Sequence, residues 1–209
     1  MRKFCVLVSG GGTNLQSLID SVQRGEIQGQ ICGVISSRPG VYALERAEKA
    51  GIPTQVIRRK EYADAQAYDL AMRDAIKATG AEFVVLAGFL SIIGPQTLRA
   101  YPNAIINIHP ALLPSFGGKG YYGLHVHEAV LNAGVKITGA TVHFVDEGTD
   151  TGPIIAQGAA EVKPGDTPEV LQARVMEIEH RLLPQAVGLM AQDRLQVDGR
   201  QVYIKEEQI

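Results

Sequence analysis

The feature that most constrains this chain is its punctuation. Short apolar runs alternate with segments of helical period, and glycine follows the first two helical segments where they stop. Strand-like runs at Lys3–Val8, Gln30–Ser36, Thr54–Ile57, Glu82–Ala87 and Ala104–Ile108 are separated by predicted helices over Thr13–Arg24, Val41–Ala50 and Glu61 to about Thr79. Gly25 and Gly51 stand where helix C-termini favour a residue that accepts positive φ. Such alternation belongs to a parallel sheet covered by helices on both faces, so the predicted fold class is a doubly wound α/β sheet. The runs Glu82–Ala87 and Ala104–Ile108 are the most apolar and read as central strands. Beyond them lie a glycine-rich loop over Ser115–Gly123, a helix over Leu124–Ala133, strands over Thr138–Val145 and Ile154–Val162, and a helix from about Thr167 to Ala191. That later strand pair is predicted to be antiparallel. The stretch Leu195–Ile204 alternates around Asp198-Gly199, which predicts a tight hairpin.

With 209 residues and 45% apolar side chains the chain can bury a sizeable core, and no linker or repeat divides it, so residues 1–209 are expected to form one domain. Twenty basic against 22 acidic side chains produce no field that would favour nucleic acid or an anionic membrane, so neither is an expected partner. Any anion must be held locally. The longest apolar runs fall well short of the ~20 residues that span a bilayer, and the N-terminal run ends at Ser9-Gly10-Gly11-Gly12, too early for a signal peptide. Two cysteines, Cys5 and Cys32, lie in strand-like segments as small hydrophobes, which fits a reducing cytoplasm. Both monomer and homodimer remain compatible with the sequence.

Ser9-Gly10-Gly11-Gly12-Thr13-Asn14-Leu15 joins the first strand to the first helix. Free N–H groups and the positive helix end make such a junction an anion site, and glycines let a phosphate approach closely. Thr13 or Asn14 can add a side-chain hydrogen bond while capping the helix. The spacing excludes the dinucleotide fingerprint, whose last glycine would be Leu15, and the Walker loop. A tight turn without a ligand is the alternative reading.

In Ile105-Ile106-Asn107-Ile108-His109-Pro110 the alternation places Asn107 and His109 on one side of a strand near its carboxyl end, where open α/β sheets bind ligands. An acidic turn, Asp146-Glu147-Gly148-Thr149-Asp150, follows the strand at Thr138–Val145. An amide donor, an imidazole and a carboxylate suit acyl transfer to an amine, because the developing oxyanion needs a donor and the proton a carrier. A carboxylate beside His109 is expected to raise its pKa. Taken alone, His109 reads equally well as a buried histidine closing a strand.

Asn107-Ile108-His109-Pro110-Ala111-Leu112-Leu113-Pro114 resembles the N-x-H-P-x-x-L-P motif of the folate-dependent formyltransferases, and Asp150 stands at the position of their essential aspartate. The resemblance implies a formyltransferase-like, Rossmann-type fold and 10-formyltetrahydrofolate as formyl-donor cosubstrate, without a metal. It implies catalytic roles for Asn107, His109 and Asp150. Family branches differ in acceptor; a branch acting on tRNA carries a further C-terminal domain and a deformylase an N-terminal extension, so this chain is most similar to the branch whose acceptor is glycinamide ribonucleotide, in purine biosynthesis. By that resemblance Gly12, Thr13, Asn14, Leu15, Gln16 and Glu179 contact the ribonucleotide. Leu90, Ser91, Ile92, Ile93, Asn107, Asp146, Glu147, Gly148, Thr149 and Asp150 contact the folate. Without the family, Glu179 reads as a solvated helix carboxylate. Ala65 and Ser91 depart from members that carry arginines near the folate, and the 115–123 loop, whose glycines suggest a mobile flap, exceeds that of the shortest relatives.

Three readings compete with this one. A metal site from His125 and His127 with His109, His143 or Asp150 is disfavoured, since residues two apart on a helix diverge. A sugar nucleotide or another amine as acceptor would keep the mechanism, whereas a non-catalytic nucleotide-binding module would use the same loop and sheet edge without turnover.

Overall fold

The computed structural model describes residues 1–206. The elements follow in the order β1 (Arg2–Val8), α1 (Thr13–Gln23), β2 (Gly29–Ser36), α2 (Tyr42–Lys49), β3 (Thr54–Val56), α3 (Ala65–Ala78), β4 (Phe83–Leu86), α4 (Pro95–Ala100), β5 (Ile105–His109), α5 (Leu124–Asn132), β6 (Ile137–Phe144), β7 (Ile154–Glu161), α6 (Pro168–Ala191), β8 (Leu195–Asp198) and β9 (Gln201–Ile204). Seven strands form one sheet in the order β3-β2-β1-β4-β5-β6-β7. The first five are parallel, while β6 runs antiparallel to both β5 and β7. The expected doubly wound sheet with antiparallel strands in its later half is therefore the observed one. Strands β8 and β9 make the hairpin around Asp198-Gly199, with Gly199 at φ 58°.

Two apolar cores lie on opposite faces of the sheet, and strand alternation assigns every central residue to one of them. Phe4, Val6 and Val8 of β1, Phe83 and Val85 of β4, Ile106 and Ile108 of β5, and Ala140, Val142 and Phe144 of β6 share a core with α1, α2, α5 and α6. Cys5, Leu7, Val84, Leu86 and Ile105 face the other way, against Tyr68, Met72 and Ile76 of α3 and against Tyr101 just after α4. By the same parity Asn107, His109, Thr141 and His143 project onto this second face. There the helical layer ends at α4, and loops complete the cover.

The sequence-predicted helix over Glu61–Thr79 starts later than expected. Residues Arg59–Glu61 form a single 3₁₀ turn, and Asp64 begins α3 by accepting a hydrogen bond from Ala67 N at 2.8 Å. Helix α4 was not anticipated. Its six residues are too few to form a helix alone. The buried Asp69 of α3 stabilises it from outside, accepting from Gln96 N at 2.7 Å, Thr97 N at 3.2 Å and Thr97 Oγ1 at 2.6 Å. Among the described residues no helix is long and apolar enough to cross a membrane.

Candidate active site

The register between β5 and β6 builds the centre of the site. Asn107 lies opposite His143 and His109 opposite Thr141, so four polar side chains meet as cross-strand pairs on one face. His143 is 1% exposed; its Nδ1–H donates to Phe144 O at 2.8 Å, which leaves Nε2 to accept from Asn107 Nδ2 at 3.1 Å. The amide of Asn107 is thereby fixed with its second N–H still available. Thr141, fully buried, donates to Ala111 O at 2.7 Å and accepts from Leu113 N at 3.0 Å. Gln157 of β7 adds bonds to Leu113 O at 2.9 Å and to Thr141 Oγ1 at 3.0 Å. The segment after His109 is thus locked down over the sheet face.

Asp150 reaches His109 by a route that the linear order hides. Because β6 is antiparallel, its carboxyl end lies beside the start of β5, with Val145 N bonded to Ile105 O. The 146–153 loop folds back across the face, and Asp150 takes a left-handed conformation at φ 58° to do so, a region that aspartate tolerates better than most residues. Its carboxylate sits 3.5 Å from His109 Nδ1 and 3.6 Å from His143 Nε2, and accepts from Gly118 N at 2.9 Å. Burial raises its pKa, but the adjacent His143 ring, the proximity of His109 and the Gly118 N–H together pull it below the ordinary value.

His109 is 4% exposed and donates from Nε2 to Phe116 O at 2.7 Å. The two ring nitrogens therefore face a carbonyl and a carboxylate. The expectation that Asp150 would raise the pKa of His109 holds for the sign of that contribution and fails for the net effect. Burial is the larger influence and leaves the imidazole below its ordinary value, with Asp150 and the Phe116 carbonyl only partly offsetting it. His127 of α5, 1% exposed, is driven down to about 4, by burial first and then by His109. His125 instead faces solvent beside Glu128, so the two diverge as their spacing predicts. Among the described residues no three His, Cys, Asp or Glu side chains gather as a metal site would need.

The glycine loop leaves β1 beside this centre. Gly12, not Thr13 or Asn14, stands at the N-cap of α1, at φ 73° and with no side-chain cap. Gln16 N closes the first turn on Gly12 O, so the N–H groups of Thr13, Asn14 and Leu15 have no acceptor within the helix. The Asn14 side chain turns instead to α6, donating from Nδ2 to Glu179 Oε2 at 2.6 Å. Burial raises the pKa of Glu179, with Asn14 a weaker opposing influence. Gln16 has both amide ends engaged, Oε1 with Arg46 and Nε2 with Asp20. Ser9, at the end of β1, shares a 2.6 Å hydrogen bond with Ser37 and accepts from Leu90 N at 2.9 Å, which ties the first loop to the one after β4. In that second loop Leu90 and Ile92 are 45% and 80% exposed while Ile93 is buried and Ser91 half-buried. Asp146 accepts from Gly148 N and Thr151 Oγ1, holding its turn closed, and Glu147, Gly148 and Thr149 are exposed.

Residues 2–187 match the family described as Formyl transferase. The chain belongs to the formyl transferase family. It is 36% identical over 204 residues to "Phosphoribosylglycinamide formyltransferase" of Haemophilus influenzae, covering 98% of this chain and 94% of that protein. It is 44% identical over 207 residues to "Trifunctional purine biosynthetic protein adenosine-3" of Bos taurus, covering 98% of this chain but only 20% of that much longer protein. Among solved structures, glycinamide ribonucleotide transformylase 1 from Symbiobacterium toebii superposes with a TM-score of 0.94 at 43% identity, covering 99% of this chain and 95% of that one.

In this member of the formyl transferase family the structure brings Asn107, His109 and Asp150 together, and Asn14 with Glu179. Two participants have no place in the sequence-based reading of this site, where His143 enters only as a ligand of the disfavoured metal reading. His143 carried a signal only in its alternation with Thr141, since the β5–β6 register that seats it opposite Asn107 is not local. Arg46 carried none, being one of several charged residues in a polar helix.

Proposed function

We propose that the protein transfers the formyl group of 10-formyltetrahydrofolate to the amine of glycinamide ribonucleotide, giving formylglycinamide ribonucleotide in cytoplasmic de novo purine biosynthesis. The observation that carries the reading is the convergence of Asn107, His109 and Asp150 on one sheet face, beside a helix N-terminus rich in free N–H groups. The Gly12–Gln16 segment would hold the ribose phosphate, mainly through backbone groups, because the Gln16 amide is already engaged. Glu179, a partly buried carboxylate with a single amide donor, suits the amine end of the acceptor. The exposed Leu90 and Ile92, with the backbone of 90–93 and the Asp146–Asp150 turn, fit a flat heterocycle such as the folate's.

In this reading the acceptor's lone pair forms the new C–N bond as the formyl oxygen gathers charge. Asn107 donates its second N–H to that oxygen, held in place by His143. His109 acts on the same oxygen and carries the proton that the attacking nitrogen must lose and the departing nitrogen must gain. For this, Nε2 exchanges Phe116 O for substrate, so the 115–123 loop has to shift on binding. Asp150 keeps the ring oriented and favours its charged form as the proton arrives.

The test is tetrahydrofolate release from 10-formyltetrahydrofolate, with and without glycinamide ribonucleotide, for the wild type and His109→Ala. Release that requires the ribonucleotide and vanishes in the variant supports donor, acceptor and key residue together. Release without the acceptor would make the protein a deformylase, and none in either case would leave another amine or a binding module.

A further inference from the structure

The glycine loop is shaped from outside by α2. Ala43 N donates to Gly10 O at 3.2 Å, and Arg46 Nε donates to Gly11 O at 2.9 Å. In a trans peptide the C=O and N–H point in opposite directions. Tying the carbonyls of Gly10 and Gly11 to α2 therefore turns the N–H groups of Gly11 and Gly12 away from it. Gly10 and Gly11 border open space, since a Cβ added at either would meet nothing within 4 Å. On the α2 side, a Cβ at Gly12 would lie 2.6 Å from Ala43 Cβ. Nearby, Asn14 is 9% exposed, and its buried Oδ1 has no hydrogen-bond partner although Nδ2 is bonded, so this oxygen calls for a donor such as a ribose hydroxyl and not for the phosphate itself.

Arg46 has the reach and rigidity to hold this arrangement. Its Nη1 donates to Gln16 Oε1 at 3.0 Å while Nε holds Gly11 O, and the guanidinium lies 4.6 Å from the centre of the Tyr42 ring. A planar fork can bond two acceptors and stack on an aromatic face at once; an ammonium cannot reproduce that geometry.

We infer that Arg46 is a positioning residue for the acceptor's phosphate: by fixing the Gly11 carbonyl and the Gln16 amide it aims the loop's N–H groups into one anion cradle. The inference rests on the reading of this loop as the phosphate site of the ribonucleotide. Arg46 acts through the loop and not by touching the reacting atoms.

The test compares wild type, Arg46→Gln and Arg46→Lys in two assays: calorimetric titration with inorganic phosphate, and steady-state kinetics with each substrate varied. Misdirecting one or two charge-assisted contacts is expected to weaken phosphate binding and raise the ribonucleotide KM by about ten- to a hundredfold. The folate KM and the kcat at saturation should stay within about twofold. Arg46→Lys should recover little of the loss, because it restores charge without the fork. Full recovery by lysine, an unchanged ribonucleotide KM or an equal rise in the folate KM would overturn the inference. Should Arg46→Gln fail to fold by thermal melting, Tyr42→Leu removes only the stacking plane and should produce a milder rise, confined to the same KM. If the wild type binds phosphate but does not turn over glycinamide ribonucleotide, the acceptor reading fails and the titration still decides the role of Arg46.

Discussion

Replacing His143 with phenylalanine isolates the role of a side chain that makes no bond to a substrate in the proposed mechanism. The ring volume is kept in a position 1% exposed, while the acceptor for Asn107 Nδ2 and the donor to Phe144 O are both removed. Leaving buried partners unsatisfied costs about 1–3 kcal/mol, so the variant should fold with a reduced melting temperature. For catalysis, a donor aimed at an oxyanion is worth roughly 10²–10³ in rate. Asn107→Ala should lose that full factor. His143→Phe leaves the amide present but free to rotate, so the expected loss in kcat is smaller, about ten- to a hundredfold, with little change in either KM. The deciding assay is the double-mutant cycle. If His143 works by orienting Asn107, adding His143→Phe to Asn107→Ala should cost less than about twofold more. Losses that multiply would refute the reasoning and move the role of His143 to Asp150, whose Oδ1 lies 3.6 Å from Nε2.

Two other perturbations probe the electrostatics. Asp150→Asn removes the carboxylate that offsets burial, so the His109 pKa, followed by NMR, should fall further below its ordinary value, with activity down about 10²–10⁴-fold; a rise in that pKa would show that Asp150 does not favour the imidazolium. His127 has a folded pKa of about 4 against 6.5 for the free side chain, so protons bind the unfolded chain first and stability should fall as pH drops from about 6.5 to about 4, by up to about 3 kcal/mol. His127→Leu should flatten that part of the pH-stability curve in acid-unfolding titrations, and an unchanged slope would show that other groups control it.

The alternation of apolar residues made the sheet and its two cores legible, because strand period decides which face each side chain enters before any contact forms. The same period placed Asn107 and His109 on one side, and the glycines after β1 marked the anion-binding junction. Element ends were less legible. Asp64, not the start of the periodic pattern, begins α3, and α4 exists because Asp69 on another helix satisfies its first N–H groups. The site also held features that no local pattern encodes. His143 orients Asn107 through the β5–β6 register, Asp150 reaches His109 by a loop that crosses the sheet face, and Arg46 grips the glycine loop from α2. Even the sign of the His109 shift lay outside the sequence: its charged neighbour is visible as Asp150, but burial is a property of everything packed around the ring. What the sequence by itself determined was periodicity, turn chemistry and the residue types available for catalysis. Tertiary structure alone decided their register, orientation and burial, because those depend on contacts between segments tens of residues apart.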